Sequence, residues 1–218
     1  FDIEPKNIRK EFIIPIEQRD FLKYDFSDFH MAPASDKVCF IGNPPFGRQS
    51  SLAKKFIKHI ASWKKAGVIA FILPKSFKKF SMQKCFPINW HLMEQFEIPD
   101  NSFVIQGKSH NVPCVFQIWE NKEFQRWIPE IAEPKGYKFI KKAENPDYSL
   151  RRVGVYAGKI DSDTDKSEQS HYFIKLDPEK NKERFLERYG AIVFETDNTV
   201  GPRSISKQEF IAKLNICF

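Results

Sequence analysis

Glycine is scarce in this sequence, with 9 residues among 218, and no two glycines are separated by a single position. The chain therefore contains no Gly-x-Gly segment of the kind that lets backbone amides approach a phosphate or a dinucleotide. Long apolar runs are also missing, so no segment is predicted to span a membrane. These two absences exclude a dinucleotide-binding loop and a membrane anchor from the printed residues.

Cysteine is rare and dispersed. The four residues, Cys39, Cys85, Cys114 and Cys217, do not have the spacing of zinc ligands or of a disulfide framework. Cys39 and Cys114 lie inside apolar runs and are predicted to be buried, reduced thiols. Since the sequence also shows no secretory leader, we expect an intracellular protein, cytoplasmic or nuclear.

Positive charge and aromatic side chains are well represented. The 35 Lys and Arg residues against 28 Asp and Glu give a formal net charge of +7. This excess favours a polyanionic partner such as nucleic acid, although many enzymes carry a similar charge without one. Aromatic residues make up 15% of the chain, mostly Phe. The composition thus supplies side chains for a core and for stacking on bases.

The first part of the chain alternates apolar runs with an amphipathic segment. The runs 38–42 and 68–73 have the length and composition of buried strands. Between them, the apolar spacing predicts a helix over 51–66, with Ser50 as its cap and Gly67 just after its last turn. Because continuous apolar strands separated by helices form parallel sheets covered on both faces, we predict an α/β fold here.

Three regions follow from the change of pattern along the chain. Two later strand patterns, 91–98 and 112–120, complete an α/β domain that we place at residues 1–120. The polar segment 121–150 contains three prolines and is interpreted as a connector. A smaller α+β region then runs from 151 to 218, and we interpret it as an accessory module that helps to hold substrate.

The accessory region has its own strand and helix signals. Its predicted elements are strands at 153–160, 171–176 and 191–194, a helix from Asp177 and Pro178 to Gly190, and a last helix opened by a capping box of Ser206 and Glu209.

The most informative stretch is Asn43-Pro44-Pro45-Phe46, directly after the first strand pattern. The prolines have no amide hydrogen and keep the backbone extended, so the carbonyls of Asn43 and Pro44 are predicted to have no sheet partner. The Asn43 side chain adds an acceptor oxygen, and Phe46 adds a flat apolar surface. Acceptors at the carboxyl end of a strand can hold the hydrogens of an amino group. The alternative is a strand-ending turn in which Phe46 is core.

This tetrapeptide resembles motif IV of the S-adenosylmethionine-dependent adenine amino-methyltransferases. The resemblance implies a Rossmann-like class I methyltransferase sheet, S-adenosylmethionine as cofactor, and catalytic roles for Asn43, Pro44, Pro45 and Phe46. The methyl transfer that this family catalyses needs no metal, because the leaving group is a neutral thioether. The resemblance also implies a nucleic-acid substrate whose adenine is extruded from the base stack. DNA is favoured over RNA, but adenine methyltransferases of both kinds share this tetrapeptide, so RNA stays an alternative.

The same resemblance assigns cofactor contacts near the start of the chain. Asp2 matches the acidic residue that binds the ribose hydroxyls, and Ile3 would pack on the adenine face, with Glu4 as the competing carboxylate. Asp20 and Phe21 match the pair that contacts the adenine amine and ring. Judged without the resemblance, these acids are equally well explained as solvated turn residues.

Substrate contacts are assigned after the later strands. Phe103 is the candidate to stack on the extruded base, and burial under a hairpin is the equal alternative. Lys75, Lys78 and Lys79 follow the second strand and could reach a phosphate backbone at the same sheet edge as Asn43. A lysine-rich surface loop is the plain alternative.

One part of the family pattern is missing from the printed residues. The glycine-containing motif I is expected before Phe1, so these residues by themselves are expected to bind cofactor poorly and to be inactive as a fragment. Two other functions therefore stay open: a protein glutamine methyltransferase, whose family carries a similar Asn-Pro-Pro-aromatic motif, and a non-catalytic nucleic-acid-binding scaffold.

Overall fold

The computed structural model describes residues 17–28, 37–128, 130, 132–180, 182–194 and 203–217. The chain divides into two compact units, which we call unit 1 (1–127) and unit 2 (128–218).

Unit 1 contains a four-stranded sheet. Its strands are β1 (Val38–Gly42), β2 (Ala66–Pro74), β3 (Trp90–Glu97) and β6 (Cys114–Asn121), in the order β1-β2-β6-β3. A separate hairpin of β4 (Phe103–Ile105) and β5 (Lys108–His110) lies between β3 and β6 in the chain. β1 and β2 are parallel, whereas β6 runs antiparallel to both β2 and β3. The α/β prediction is confirmed as a mixed rather than an all-parallel sheet.

Two helices belong to unit 1, α1 (Ser51–Ala61) and the short α2 (Phe80–Gln83). Helical spacing places Ala53, Ile57 and Ile60 on one face of α1, and all three are fully buried. They pack in one cluster with β2 residues such as Ile69 and Leu73. Burying each of these larger aliphatic side chains contributes roughly 2 kcal/mol, which explains why α1 stays on the sheet.

The prediction that β1 is fully buried was wrong. Val38 and Phe40 are half-buried, but Cys39 is exposed and Ile41 is 76% exposed. The reason is that, among the described residues, β1 pairs only with β2 and alternates between a covered and an open face. Cys114 is buried as predicted, and burial raises the pKa of its thiol to about 11.

The predicted end of α1 was also wrong. The helix stops at Ala61, and Gly67 lies inside β2 rather than after the helix. A Cβ at Gly67 would lie 2.5 Å from the Cβ of Lys37, so the glycine is needed for close approach of the backbone next to β1. Ser50 precedes the helix, but its side chain forms no capping hydrogen bond because its backbone is left-handed (φ 60°).

Arg126 fixes the segment between α2 and β3. Its guanidinium group donates hydrogen bonds to four main-chain carbonyls and lies over the Trp119 ring. The four carbonyls, at N–O distances of 2.6 to 3.3 Å, belong to Gln83, Phe86, Pro87 and Trp90. One side chain therefore ties together the end of α2, the connecting segment and the start of β3.

Unit 2 contains an antiparallel sheet and two helices. The elements are β7 (Tyr137–Ile140), β8 (Tyr148–Arg151), β9 (Ile160–Asp161), β10 (His171–Leu176), α3 (Lys182–Gly190) and α4 (Lys207–Leu214), with the strand order β7-β10-β8-β9. β10 confirms the strand predicted at 171–176. The capping box is confirmed too, since Ser206 Oγ accepts the Glu209 amide and a Glu209 carboxylate oxygen accepts the Ser206 amide.

Several predicted elements of unit 2 differ from the structure. β7 and β8 lie inside the segment 121–150 that we interpreted as a connector, because their short apolar alternations were hidden among prolines and charges. The predicted strand 153–160 is mainly a turn, and 191–194 is irregular. α3 begins at Lys182, since Pro178 lies in a turn whose Lys180 amide bonds to the Asp177 carbonyl.

Asp147 is the most strongly held carboxylate described in unit 2. Its side chain is 9% exposed, accepts the Leu176 amide at 2.9 Å and lies 2.6 Å from the Lys182 ammonium group, with Lys175 at 3.6 Å. Burial by itself raises the pKa of Asp147, but the hydrogen bonds from Lys182 and Leu176 outweigh burial and hold the pKa below its usual value. In the described part of the chain, no helix is long and apolar enough to cross a membrane.

Replacing Arg126 by Lys is expected to lower the free energy of unfolding of unit 1 by about 1–3 kcal/mol, because a single ammonium group cannot span four carbonyls. Tryptophan fluorescence in urea measures the loss, since all 4 tryptophans lie in unit 1. Arg48→Lys is the matched control, because Arg48 is exposed and has no ion pair within the described ranges. Equal losses of unfolding free energy in both variants would contradict a stabilising role for the four Arg126 hydrogen bonds.

Unit 2 is expected to lose stability in acid through Asp147. Because the folded pKa lies below the unfolded one, the carboxylate stabilises unit 2 above about pH 4, and this contribution disappears as the pH falls through the folded pKa. Asp147→Asn should lower the free energy of unfolding of unit 2 at neutral pH and make it depend less on pH in acid. Urea titrations measure this, with the NMR signals of the β10 amides reporting the unfolding of unit 2. Asp165→Asn, at a carboxylate that is 92% exposed, should leave the pH profile unchanged.

Candidate functional site

The loop Asn43–Gly47 leaves the carboxyl end of β1. Asn43 is exposed, Pro44 is buried and Phe46 is half-buried. Within the described ranges, neither the Asn43 side chain nor the Pro44 carbonyl has a hydrogen-bond partner. The Asn43 side chain is therefore open to a ligand, while the buried Pro44 fixes the loop against the protein.

The loop is tied to the start of α1. The carbonyl of Phe46 accepts the amides of Leu52 and Ala53 at 3.1 and 3.3 Å. These amides are among those that an α-helix leaves without an internal partner, so the loop takes the role that we had assigned to the Ser50 side chain. Gly47 allows the sharp turn, with φ of 67° and ψ of 175°, a conformation almost restricted to glycine.

Phe46 remains available as a stacking surface. Its ring is half-buried and makes no ring contact with another aromatic residue in the described part of the chain. By contrast, Phe40 at the centre of β1 packs edge-on against Phe21, Phe26 and Trp63. The stacking role of Phe46 therefore stays a prediction, as does its alternative role in the core.

The predicted lysines lie at the same sheet edge as Asn43. The parallel register pairs Gly42 with Phe71, and β2 ends at Pro74, so the turn that starts at Lys75 follows within a few residues. Lys75 also donates its amide to the Pro113 carbonyl at 2.9 Å, which joins this turn to the start of β6.

Glu97 holds two of these lysines. Its carboxylate oxygens lie 3.2 Å from Lys75 Nζ and 2.8 Å from Lys78 Nζ. Hydrogen bonds from Lys78 and then Lys75 lower the pKa of Glu97, so the carboxylate is ionised at neutral pH. Two cations thus face one anion, and the edge keeps an excess positive charge. Lys79 is half-buried at the end of the same turn.

Phe103 is the first residue of the hairpin formed by β4 and β5. It is half-buried and pairs with His110 across β4 and β5. The connecting Gln106 and Gly107 both have positive φ, of 51° and 77°, which is typical of a tight two-residue hairpin turn. In the sequence, the signal for this hairpin was the Gln106-Gly107 dipeptide between two short strands.

The hairpin belongs to the same sheet edge. It is bounded by the end of β3 at Glu97 and the start of β6, where the Ile98 amide bonds to the Cys114 carbonyl at 3.1 Å. The structure therefore places Asn43, the lysine turn and the hairpin at one edge of the unit 1 sheet.

Asp20 and Phe21, the predicted cofactor contacts near the start of the chain, both have local partners in the structure. Asp20 accepts the Leu22 amide at 3.1 Å and caps a short 3-10 turn. The Phe21 ring stacks on Phe56 of α1 with a centroid distance of 5.0 Å. Both side chains are thus engaged in local structure and core packing.

The other two predicted cofactor contacts, Asp2 and Ile3, lie outside the described residues.

A buried polar network behind the lysine turn was missed from the sequence. Gln117 in β6 is fully buried and donates to the Phe77 carbonyl at 3.1 Å and to Gln95 at 2.7 Å. It also accepts the indole N–H of Trp119 at 3.0 Å. Since breaking such a network leaves buried polar groups unpaired, it holds the turn in place. The signal was a glutamine inside an apolar strand.

Two cavities of unit 1 lie away from this edge. One of about 690 Å³ is lined by residues 22–27, His59 and 62–65, near the end of α1 farthest from the Asn43 loop. Another, of about 520 Å³, is lined by Lys37 and residues 120–124. In the described ranges, no group of three or more His, Cys, Asp or Glu side chains could hold a metal ion.

The mixed sheet with its polar strand-end loop is that of a methyltransferase-like domain. Residues 2–129 match the model of a family described as the EDM2 methyltransferase-like domain. Because the match covers more than half of the chain, the protein belongs to this family. No curated protein and no solved structure matches the chain.

Gly47→Ala is expected to destabilise unit 1 by about 1–3 kcal/mol, because an added Cβ would lie 2.8 Å from Leu52 Cγ in a backbone conformation that alanine resists. Gly107→Ala is the control, since Gly107 also has positive φ but has nothing within 4 Å of the added atom. Urea unfolding by tryptophan fluorescence compares the two. Equal losses would contradict the close packing of the Asn43 loop on α1.

Proposed function

We propose that this chain carries the amino-group-binding loop of an S-adenosylmethionine-dependent methyltransferase that acts on the 6-amino group of adenine in nucleic acid. The observation that carries the proposal is the exposed Asn43 amide, which has no partner in the described ranges and stands on a loop fixed by Pro44 and Phe46. Such preorganised acceptors stabilise charge that develops on a reacting nitrogen.

The chemistry follows from the state of the amine. The lone pair of an aromatic amine is delocalised into its ring, so the nitrogen is a poor nucleophile. Acceptance of its two hydrogens by the Asn43 side-chain oxygen and the Pro44 carbonyl favours a more tetrahedral nitrogen with a localised lone pair. Phe46 would stack on the base and hold the nitrogen in line for attack on a methyl group.

The sheet supports a class I methyltransferase arrangement. The parallel pair β1 and β2 places its strand-end loops at one edge, where ligands of open α/β sheets bind. The antiparallel neighbours β6 and β3 agree with the antiparallel strands that end the sheet of the family named in the sequence analysis.

Nucleic acid is favoured as the substrate by charge and by the motif. The chain carries a net charge of +7, and Lys75, Lys78 and Lys79 stand at the edge of the proposed site. Asparagine before the two prolines favours adenine over cytosine, and DNA is the better candidate than RNA. The reacting base must leave the stack to reach Asn43, with Phe103 as a second surface for it.

Of the predicted cofactor residues, the structure describes only Asp20 and Phe21. When bound, S-adenosylmethionine would supply the methyl group, but Asp20 already caps a turn and Phe21 already packs on Phe56. No step is therefore assigned to the cofactor from these residues. This observation favours a second candidate function, a nucleic-acid-binding scaffold that holds an adenine at Asn43 without methylating it.

Asn43→Ala is expected to lower methyl transfer to adenine-containing single-stranded DNA by about 100-fold, with the fold unchanged. The assay is run on the full-length protein, with labelled S-adenosylmethionine and with DNA, RNA and a glutamine-containing protein as acceptors. Gln125→Ala, which removes an exposed amide beyond the other end of β6, is the control.

A second measurement separates the two candidates. The Asn43 side-chain amide signals in the NMR spectrum should shift when an adenine oligonucleotide is added, and shift less with a cytosine oligonucleotide. Shifts without methyl transfer would favour the scaffold. Transfer to protein alone, or full transfer by the Asn43→Ala variant, would refute the proposed function.

A further inference from the structure

Unit 2 contains a small polar cleft that the proposed methyl-transfer chemistry does not use. Its volume is about 200 Å³. It is lined by Arg151, Tyr156, Lys159, Asp161, Lys166 and His171. Pockets for drug-sized ligands measure roughly 300–1,000 Å³, so this one is too small for a complete nucleoside cofactor. A single phosphate group with a few waters would fit.

Three cations surround the cleft. Arg151 donates from Nε to the Val153 carbonyl at 2.9 Å, which fixes the guanidinium plane and leaves its two outer nitrogens for a ligand. The Lys159 side chain is exposed, and its ammonium group has no hydrogen-bond or ion-pair partner within the described residues. Lys166 lies 2.5 Å from Asp163, so its charge is partly balanced. This set of donors suits an oxyanion.

Two further titratable side chains, His171 and Asp161, line the cleft. His171 is 8% exposed, and its Nδ1 lies 3.0 Å from Ser170 Oγ and 3.2 Å from the Ser167 carbonyl, which leaves Nε2 for other contacts. Burial, and then the charges of Arg151 and Lys166, lower the pKa of His171, so added positive charge is disfavoured here. Asp161 is the only carboxylate in the lining, and its Oδ1 is occupied by the amide of Asp163 at 2.9 Å.

A rigid turn presents Tyr156 beside the cleft. The Tyr156 side chain is 70% exposed, so its ring is accessible to a ligand. The turn is held by hydrogen bonds from the Gly154 amide to the Arg203 carbonyl and from the Gly158 amide to the Arg151 carbonyl, both 2.8 Å.

The same turn is locked by packing. Gly158 has φ of 94°, and a Cβ on it would lie 2.8 Å from the Phe194 ring. The aromatic side chain is therefore supported by a backbone with little freedom to move, which lowers the entropy cost of using it as a contact.

We propose that this cleft binds one phosphate of a single-stranded nucleic acid, with an adjacent unpaired base stacking on Tyr156. Arg151 and Lys159 supply charge-assisted hydrogen bonds to the phosphate oxygens, and the His171 ring lines the cleft beside them. A cationic groove next to an exposed aromatic ring is the general arrangement for sequence-tolerant binding of single strands. The assignment does not depend on methyl transfer, so failure of one leaves the other standing.

The test uses the full 218-residue chain and a single-stranded thymidylate octamer, with affinity measured by fluorescence anisotropy at low salt. Lys159→Gln should weaken binding about fivefold, because one phosphate contact is lost. Tyr156→Ala should weaken it about tenfold, and Tyr156→Phe should restore it, because stacking needs only the ring. Lys138→Gln, an exposed lysine on β7 at the far side of the sheet, is the matched control and should bind as the unchanged chain does.

A second arm uses inorganic phosphate and follows the His171 ring signals by NMR. Phosphate should shift them in the unchanged chain and in Tyr156→Ala, but much less in Lys159→Gln. Equal weakening by Lys159→Gln and Lys138→Gln would overturn the proposal, since the effect would then be diffuse charge. Phosphate binding without oligonucleotide binding, or tighter binding of a phosphopeptide of equal charge at the same residues, would overturn the assignment to nucleic acid.

Discussion

The carbonyl of Phe46 accepts the first free amides of α1, and the geometry of the candidate site depends on this contact. A helix start needs acceptors, and here the loop itself supplies them instead of a capping side chain. Gly47 permits the required turn, and the buried Pro44 closes the loop against the protein. Asn43 is then left at the end of β1 with no internal partner in the described ranges, which is the condition for holding a ligand.

At the edge of the unit 1 sheet, lysine side chains form ion pairs with a carboxylate. Glu97 sits between Lys75 and Lys78, so the lysine turn combines local neutralisation with a remaining positive excess. Gln117 braces this turn from the fully buried side. In the unit 2 cleft, by contrast, the Lys159 side chain has no partner in the described residues, while Lys166 is paired with Asp163.

The sequence predicted elements best where one physical signal was strong. The apolar run of β2, the strand 171–176 and the capping box of Ser206 and Glu209 were all found. Predictions from the sequence were wrong where the conformation or burial of a residue depended on packing against other elements. Gly67 resembled a helix end but is a point of close approach to Lys37, and Cys39 resembled a core residue but lies on the open face of β1.

The sequence by itself determined the nature of the Asn43 loop, because two consecutive prolines restrict the backbone whatever surrounds them. It also indicated the mixed α/β character through the alternation of apolar runs. Only the tertiary structure decided that Phe21 packs on Phe56, that Glu97 reaches both lysines, and that residues far apart in sequence surround the unit 2 cleft. Such contacts depend on strand order and register, and neither is encoded in local spacing.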